Sequence, residues 1–513
     1  MTSKQTTMTC SARVHEEATM TLDESKVIAE ARAADDAARE APGKRRGRRP
    51  VWRVLSVGAA IVAVGGVVAA VQLAPEGAVS SPANSVLVSP VASAQDRVCP
   101  GPLTLLGLAT DDPTLPSTLG TTSIRLAGDQ DELEVAPVVE STPAADEQQA
   151  LAPVRFAVPG LTGEGAPTVF AAAQTLELNQ PSAAGFAATA CRMPSAEQWL
   201  VGGSTAEGSS TQLVIVNPAA RQAEVRVTVT TADGTVQAPT IREIVVPASS
   251  REIVSLEGVA PDRGDLVVQV EAVSGSVIST LHQTRTSGAT PSGIEIVGAQ
   301  DAPSTSLSIV GVPSTSTASE AEGTLVLERG AMLRVLAPGD EETELAVEVR
   351  DAAGVALEPI SLTIQGGRTT EIPLTGYPIG QYTLQIEASH PVVAAVQTTA
   401  TATSSDLAWY LPVPALSGSQ VVAVPNGPSP KLQLADADGV EKTATLVADD
   451  GTETVVTIPA HGTASVDVEA SREYRLEGLD RVSVQLAYAG DGQLAAIPSY
   501  ASNPLAEVIT VYR

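Results

Sequence analysis

Four histidines, three cysteines and two tight runs of carboxylates are the groups in this 513-residue chain whose types suit chemistry. His15, His282, His390 and His461 stand far apart, and none lies in an HExxH or comparable ligand spacing. His461, in IPAHGTAS, reads as a turn residue. No GxSxG elbow is present, and the Ser of VGGSTAEGSS (201–210) reads as part of a hairpin loop. DQDELE (129–134) and DADGVE (436–441) cluster carboxylates without EF-hand spacing, so solvated turns are expected there rather than calcium sites. No glycine-rich phosphate loop occurs. The residues therefore predict a chain that is not an enzyme and has no metal and no cofactor.

Aromatic rings are the other candidates, because their faces stack on sugars and other π partners. They make up only 3% of the chain. Trp199 in EQWLVGG and the pair Trp409 and Tyr410 in DLAWYLPVP are the candidate ligand contacts. Each has apolar neighbours, which favours core or junction packing over stacking.

The elements that must position these residues are strands. From Val98 onward, short runs of Val, Ile, Leu and Thr alternate with polar residues, and Gly, Pro or Asp-Gly closes each run. In AEVRVTVTTADG, Val225, Val227 and Val229 face one way, and Arg226, Thr228 and Thr230 the other. That period, with a turn about every ten residues, predicts antiparallel immunoglobulin-like β-sandwiches in tandem. A loose repeat supports it. VRVTVTTADGTV, LAVEVRDAAGVAL and ATLVADDGTE begin three copies, and GDLVVQVEAVSGSVIS, GQYTLQIEASHPVVAAV and VSVQLAYAGDGQLAAI end them. A β-propeller is the alternative, but its shorter blade period is not seen. The expected bodies are an N-terminal β region at 98–200 and repeats at 201–300, 321–403 and 407–513.

The N-terminal part has another texture. Lys44, Arg45, Arg46, Arg48, Arg49 and Arg53 form a basic border at 44–53. From Val54 to Val71 there is no charge and only Ser56 is polar, the length of a membrane-crossing helix. A helix at 54–74, uncleaved, would leave residues 1–43 as a largely disordered or partly helical cytoplasmic tail and export the rest, because the positive flank stays inside. Ala92-Ser93-Ala94 resembles a cleavage site but lies too far from the apolar run. Residues 75–97, rich in Pro, Ser and Ala, read as a linker.

Charge agrees with that division. Residues 1–53 carry 11 Lys and Arg against 8 Asp and Glu, leaving 20 against 51 beyond them. So acidic a body excludes nucleic acid as a partner, since phosphate binding needs a basic face. Of the cysteines, Cys10 falls in the tail. Cys99 and Cys191 fall beyond the anchor, in an oxidising space, and with no third competitor they are expected to form a disulfide. Trp199, eight residues after Cys191, is placed to pack near it. A redox-active pair would want the close CxxC spacing that is missing here.

The basic border, single anchor and Pro/Ser stalk, together with VCPGPL, CRMPSAEQWLVGGS, LVIVNP and VTTADG, resemble an actinobacterial envelope family of unknown function, DUF5719. The resemblance covers residues 98–513. It implies an envelope location and that Cys99 and Cys191 recur as a pair, and it carries no activity. The expected function is a membrane-anchored, single-pass extracellular scaffold, adhesion or accessory binding module, with cell-wall glycan or another envelope protein as partner. A cell-wall polysaccharide enzyme, or its accessory subunit, is the alternative.

Overall fold

Each of three successive stretches of the chain builds the same pairing of strands. The computed structural model describes residues 85–88, 94–106, 116–138, 152–314, 319–321, 324–326, 331–374, 376–400, 406–490, 492–503 and 509–512. The tail at 1–43, the border at 44–53 and the anchor at 54–74 lie outside the described residues. No helix among the described residues is long and apolar enough to cross a membrane. The fold is mainly β, with several antiparallel sheets. Ser85–Val88 and Gln95–Cys99, inside or overlapping the stretch read as linker, are strands.

In the first unit, one sheet is built around Ala223–Thr231 and Val267–Ser274 and another around Ser209–Asn217 and Ile278–Ser287. The alternation of Val225, Val227 and Val229 sends all three into a core shared with Leu213 and Ile215 of the facing sheet. The stretch 201–210, expected as a hairpin loop, does not join two paired strands. Glu197–Val201 pairs with Val267–Ser274, whereas Ser209–Asn217 pairs with Ser250–Ser255 and Ile278–Ser287. The VGGSTAEGSS loop therefore crosses from one layer to the other.

The second and third units replace two strands of the first by one long strand. Gly380–Thr399 pairs in its first half with Thr343–Asp351 and Ser304–Ser314, and in its second half with Ala331–Leu336 and Leu407–Tyr410. A strand that long changes layer by bending, and the sheet curls with it. Arg472–Gly490 does the same in the third unit, meeting Lys442–Ala448 and Ala415–Val424 first, then Lys431–Asp436 and Gln493–Pro498. In the first unit the equivalent path breaks between Ser274 and Ile278, at Gly275 with its φ of 77°. The counterpart of GQYTLQIEA in the third unit is thus REYRLEGLD, not VSVQLAYAG as the sequence repeat suggested.

Among the described residues, the N-terminal region supplies three small sheets. Thr122–Gly128, Phe170–Gln180 and Ala183–Ala190 form one, Gln95–Cys99, Val154–Val158 and Glu134–Pro137 a second, and Leu103–Leu105 with Ser117–Leu119 a third. Cys99 and Cys191 are joined by a disulfide, buried among Phe156, Val158 and Phe170. The first of these sheets packs onto two units. Leu176, Leu178 and Ala187 meet Ile294 and Ile296 of the first, while Ala173, Phe186 and Ala188 join the core of the third.

Candidate functional site

The groups singled out for chemistry are spread over the fold, and most are committed to holding it together. His282 is fully buried, and its Nδ1 accepts the Thr104 N–H at 3.0 Å. Burial, with Arg251 nearby, pushes its imidazole down to about 3, so it stays neutral. His461 occupies a turn at φ 56° and donates its N–H to Asp436 Oδ2. His390 has a triad-like setting: Ser389 Oγ lies 3.2 Å from Nδ1, and Glu341 Oε2 lies 2.9 Å from Nε2. The His390 and Glu341 side chains are 44% and 77% exposed. Water therefore reaches the whole array, unlike the enclosed site that nucleophile activation uses. His15 lies outside the described residues.

The two carboxylate runs are turns. Asp129 Oδ2 accepts the Val169 N–H. Asp436 accepts the N–H groups of Asp438, Val440 and His461, and the Lys442 ammonium stands 3.0 Å away. Burial raises its carboxyl, but these N–H groups and Lys442 outweigh it and hold it at about 2. The cations that meet this loop are thus Lys442 and Arg481, whose Nε lies 2.6 Å from Asp438 Oδ1. Among the described residues, no group of three or more His, Cys, Asp or Glu side chains is arranged to hold a metal. Asn217 ends the matching strand of the first unit. Its Nδ2 donates to the carbonyls of Arg221, Val246 and Pro247, so the NP dipeptide is a turn clamp.

Trp199, Trp409 and Tyr410 are 5%, 3% and 1% exposed, which closes their ring faces to a sugar. Trp199 lies in the core of the first unit with Trp409, not in the cluster around the disulfide. Its Nε1 donates to Glu197. Leu407–Tyr410 is buried on both faces, because it runs between two cores. Leu407 and Trp409 enter the core of the first unit, and Ala408 and Tyr410 enter that of the second.

Three ionisable groups that the sequence did not point to weld this junction. Arg334 is buried with its guanidinium 4.5 Å from the Trp409 ring centroid. It donates to the carbonyls of Gly203, Gly264 and Leu266 and to Glu371. Glu295 accepts the N–H groups of Ile296 and Trp409, and burial holds its carboxyl well above the usual range. Asp406 accepts the N–H groups of Phe186, Ile294 and Leu494, which lie in the N-terminal sheet, the first unit and the third unit. Burial, only partly offset by these bonds, pushes its carboxyl up to about 7.

Beside this junction lies a cavity of about 550 Å³. Its lining includes the buried aliphatic side chains of Leu416, Val422, Leu486 and Ile497 and the buried polar ones of Arg97, Gln198 and Gln300. At its mouth the Arg192 guanidinium lies 3.4 Å from the centroid of the Tyr500 ring and pairs with Asp301 at 2.5 Å. A lining of aliphatic side chains with a few polar groups among them is the make-up of a ligand pocket, and this volume is in the usual range. Only Cys191, in its wall, stood out in the sequence.

No curated protein matches this chain. Among solved structures, the BSP domain of a biofilm associated protein is similar over 86% of this chain and 99% of its own, at 10% identity and a TM-score of 0.11. A likeness that low carries no argument. A family model, the Family of unknown function (DUF5719), matches residues 142–469. The matched span runs from the N-terminal sheets into the third unit and includes Cys191, Trp199 and Asn217-Pro218, though not Cys99 to Pro102. With well over half of its residues in that match, the chain belongs to the Family of unknown function DUF5719.

Proposed function

We propose that this chain is a non-catalytic binding module of the cell envelope. A membrane helix at 54–74 carries it, with residues 1–43 in the cytoplasm and three immunoglobulin-like sandwiches and the N-terminal sheets outside. The observation that carries the reading is the junction cavity, where an aliphatic patch of Leu416, Val422, Leu486 and Ile497 lies beside a charged pair, Arg192 and Asp301, that is already neutralised. Such a site gains by burying apolar area, at about 25 cal/mol per Å², rather than by reacting. Its occupant is the apolar part of an envelope partner.

The test is co-sedimentation of the full chain, held in lipid nanodiscs, with isolated envelopes of the source organism. Ala415, exposed at the cavity, is replaced by Trp to plug it. Retention of the wild type and its loss in Ala415→Trp is the expected result. Equal retention of both removes the cavity from the reading, and retention of neither removes the binding role.

A further inference from the structure

The outward face of the second unit carries a different set of groups. Strands Ser304–Ser314, Gly380–Thr399, Thr343–Asp351 and Ile360–Ile364 lie side by side in that order. Val347, Val349, Leu384 and Ile386 fill the core beneath them. Period two therefore sends Glu344, Ala346, Glu348, Gln385 and Glu387 to the other face. Register sets Glu348 opposite Gln385, and Ala346 opposite Glu387. It continues the row to Ser306 beside Glu387 and to Ser361 beside Ala346.

Two depressions, of about 440 and 580 Å³, open on this face and share Ala346 and Glu387. Asp436 and His461 of the third unit wall the first. The floor holds its side chains in fixed pairs. Ser306 Oγ donates to Glu387 Oε1 at 2.7 Å, Gln385 Nε2 to Ser308 Oγ at 3.0 Å, and Arg350 to Glu348 Oε1 at 2.6 Å. Each of these carboxylates has a second oxygen with further acceptor capacity, and Gln385 an amide oxygen.

We infer that this face binds a neutral, hydroxyl-rich polysaccharide. Carboxylate and amide oxygens arrayed about every strand width, ~5 Å apart, accept hydrogen bonds from successive hydroxyls. Three outward glutamates against Arg350 leave the face negative, so teichoic-type and other polyanions are repelled. The shared floor of the two depressions suits a chain of sugars rather than one. None of these residues lines the junction cavity, so the inference stands apart from the function proposed above.

The test uses the full chain in nanodiscs, titrated calorimetrically with neutral gluco-, galacto-, manno- and arabino-oligosaccharides, and with hyaluronan as a polyanion. The expected result is that at least one neutral oligosaccharide binds and hyaluronan does not. Gln385→Ala and Glu387→Ala each then weaken binding by about tenfold or more, as removal of a hydrogen bond involving a charged or buried polar group does, with unchanged thermal unfolding. Ala415→Trp leaves the affinity as it was. Binding of none of the neutral oligosaccharides overturns the inference, as does wild-type affinity in both variants. Ser306→Ala, which touches only the Glu387 contact, keeps the comparison informative should either variant unfold.

Discussion

Trp409 and Tyr410 are bonded neighbours in the chain, yet each lies in a different hydrophobic core. The strand that carries them is the partition between the first and second units. Its alternation is ordinary for a β-strand, but both of its faces are buried, so it joins two units by packing rather than by a linker. Trp409 adds directional bonds, donating its indole N–H to Gln283 Oε1 at 2.9 Å and its backbone N–H to Glu295.

Trp409→Ala should cost ~3–5 kcal/mol, the range for removing a buried large aromatic. The loss includes the partner left behind, because Gln283 Oε1 and the face of Arg334 then lack their contact. Trp409→Phe should cost less, since it keeps a ring under the guanidinium and loses the indole N–H. Urea unfolding of the two variants measures the difference.

How much of this was legible follows from which face of each strand meets water. The alternation of Val225, Val227 and Val229 announced a strand and its inward face, and the structure agrees. In AMLRVLAP and GIEIVG the same rule sends Arg334 and Glu295 outward, to solvent. Their outward faces are instead closed by a neighbouring unit, which no local pattern records. The third repeat is hidden in the sequence for a related reason. Between Leu476 and Leu479 the register slips at a bulge, and Gly478 takes a φ of 73°. The period-two signal is broken there, so REYRLEGLD does not look like its counterpart in the second unit.

Arg334→Met should cost ~3–5 kcal/mol, because it leaves Glu371 and three backbone carbonyls without their donor. Arg334→Lys should not rescue it, since an ammonium cannot reach several carbonyls from one planar fork. The guanidinium ties a strand of the second unit to loops of the first. Calorimetry should therefore show a broader or more clearly split unfolding profile in Arg334→Met than in the wild type.

Reduction of the disulfide should destabilise the chain by ~4–5 kcal/mol in the chain-entropy treatment, given the 92-residue separation of Cys99 and Cys191. Cys191→Ser should match the reduced wild type in denaturant unfolding. The loss should fall first on Gln95–Cys99 and Val154–Val158, which hydrogen-exchange protection of their amides would report.

Two buried groups set opposing pH slopes, and variants can separate them. The folded Asp406 carboxyl lies near 7, above its ordinary value of 3.8. Between those values the folded state holds the extra proton, so stability is fully present below about pH 4 and is lost as pH rises through about 7. Glu295 is shifted in the same direction. His282 is lowered from 6.5 to about 3, so the unfolded state holds the extra proton. Its contribution is present above about pH 6.5 and is lost as pH falls toward 3. Asp406→Asn should therefore reduce the loss of stability between pH 4 and 7, leaving a curve that rises more steeply with pH. His282→Gln should do the reverse, leaving a curve that falls over that window. Melting temperatures of the wild type and both variants across that range provide the check. Parallel curves for all three would mean that neither group changes its protonation on folding as burial requires.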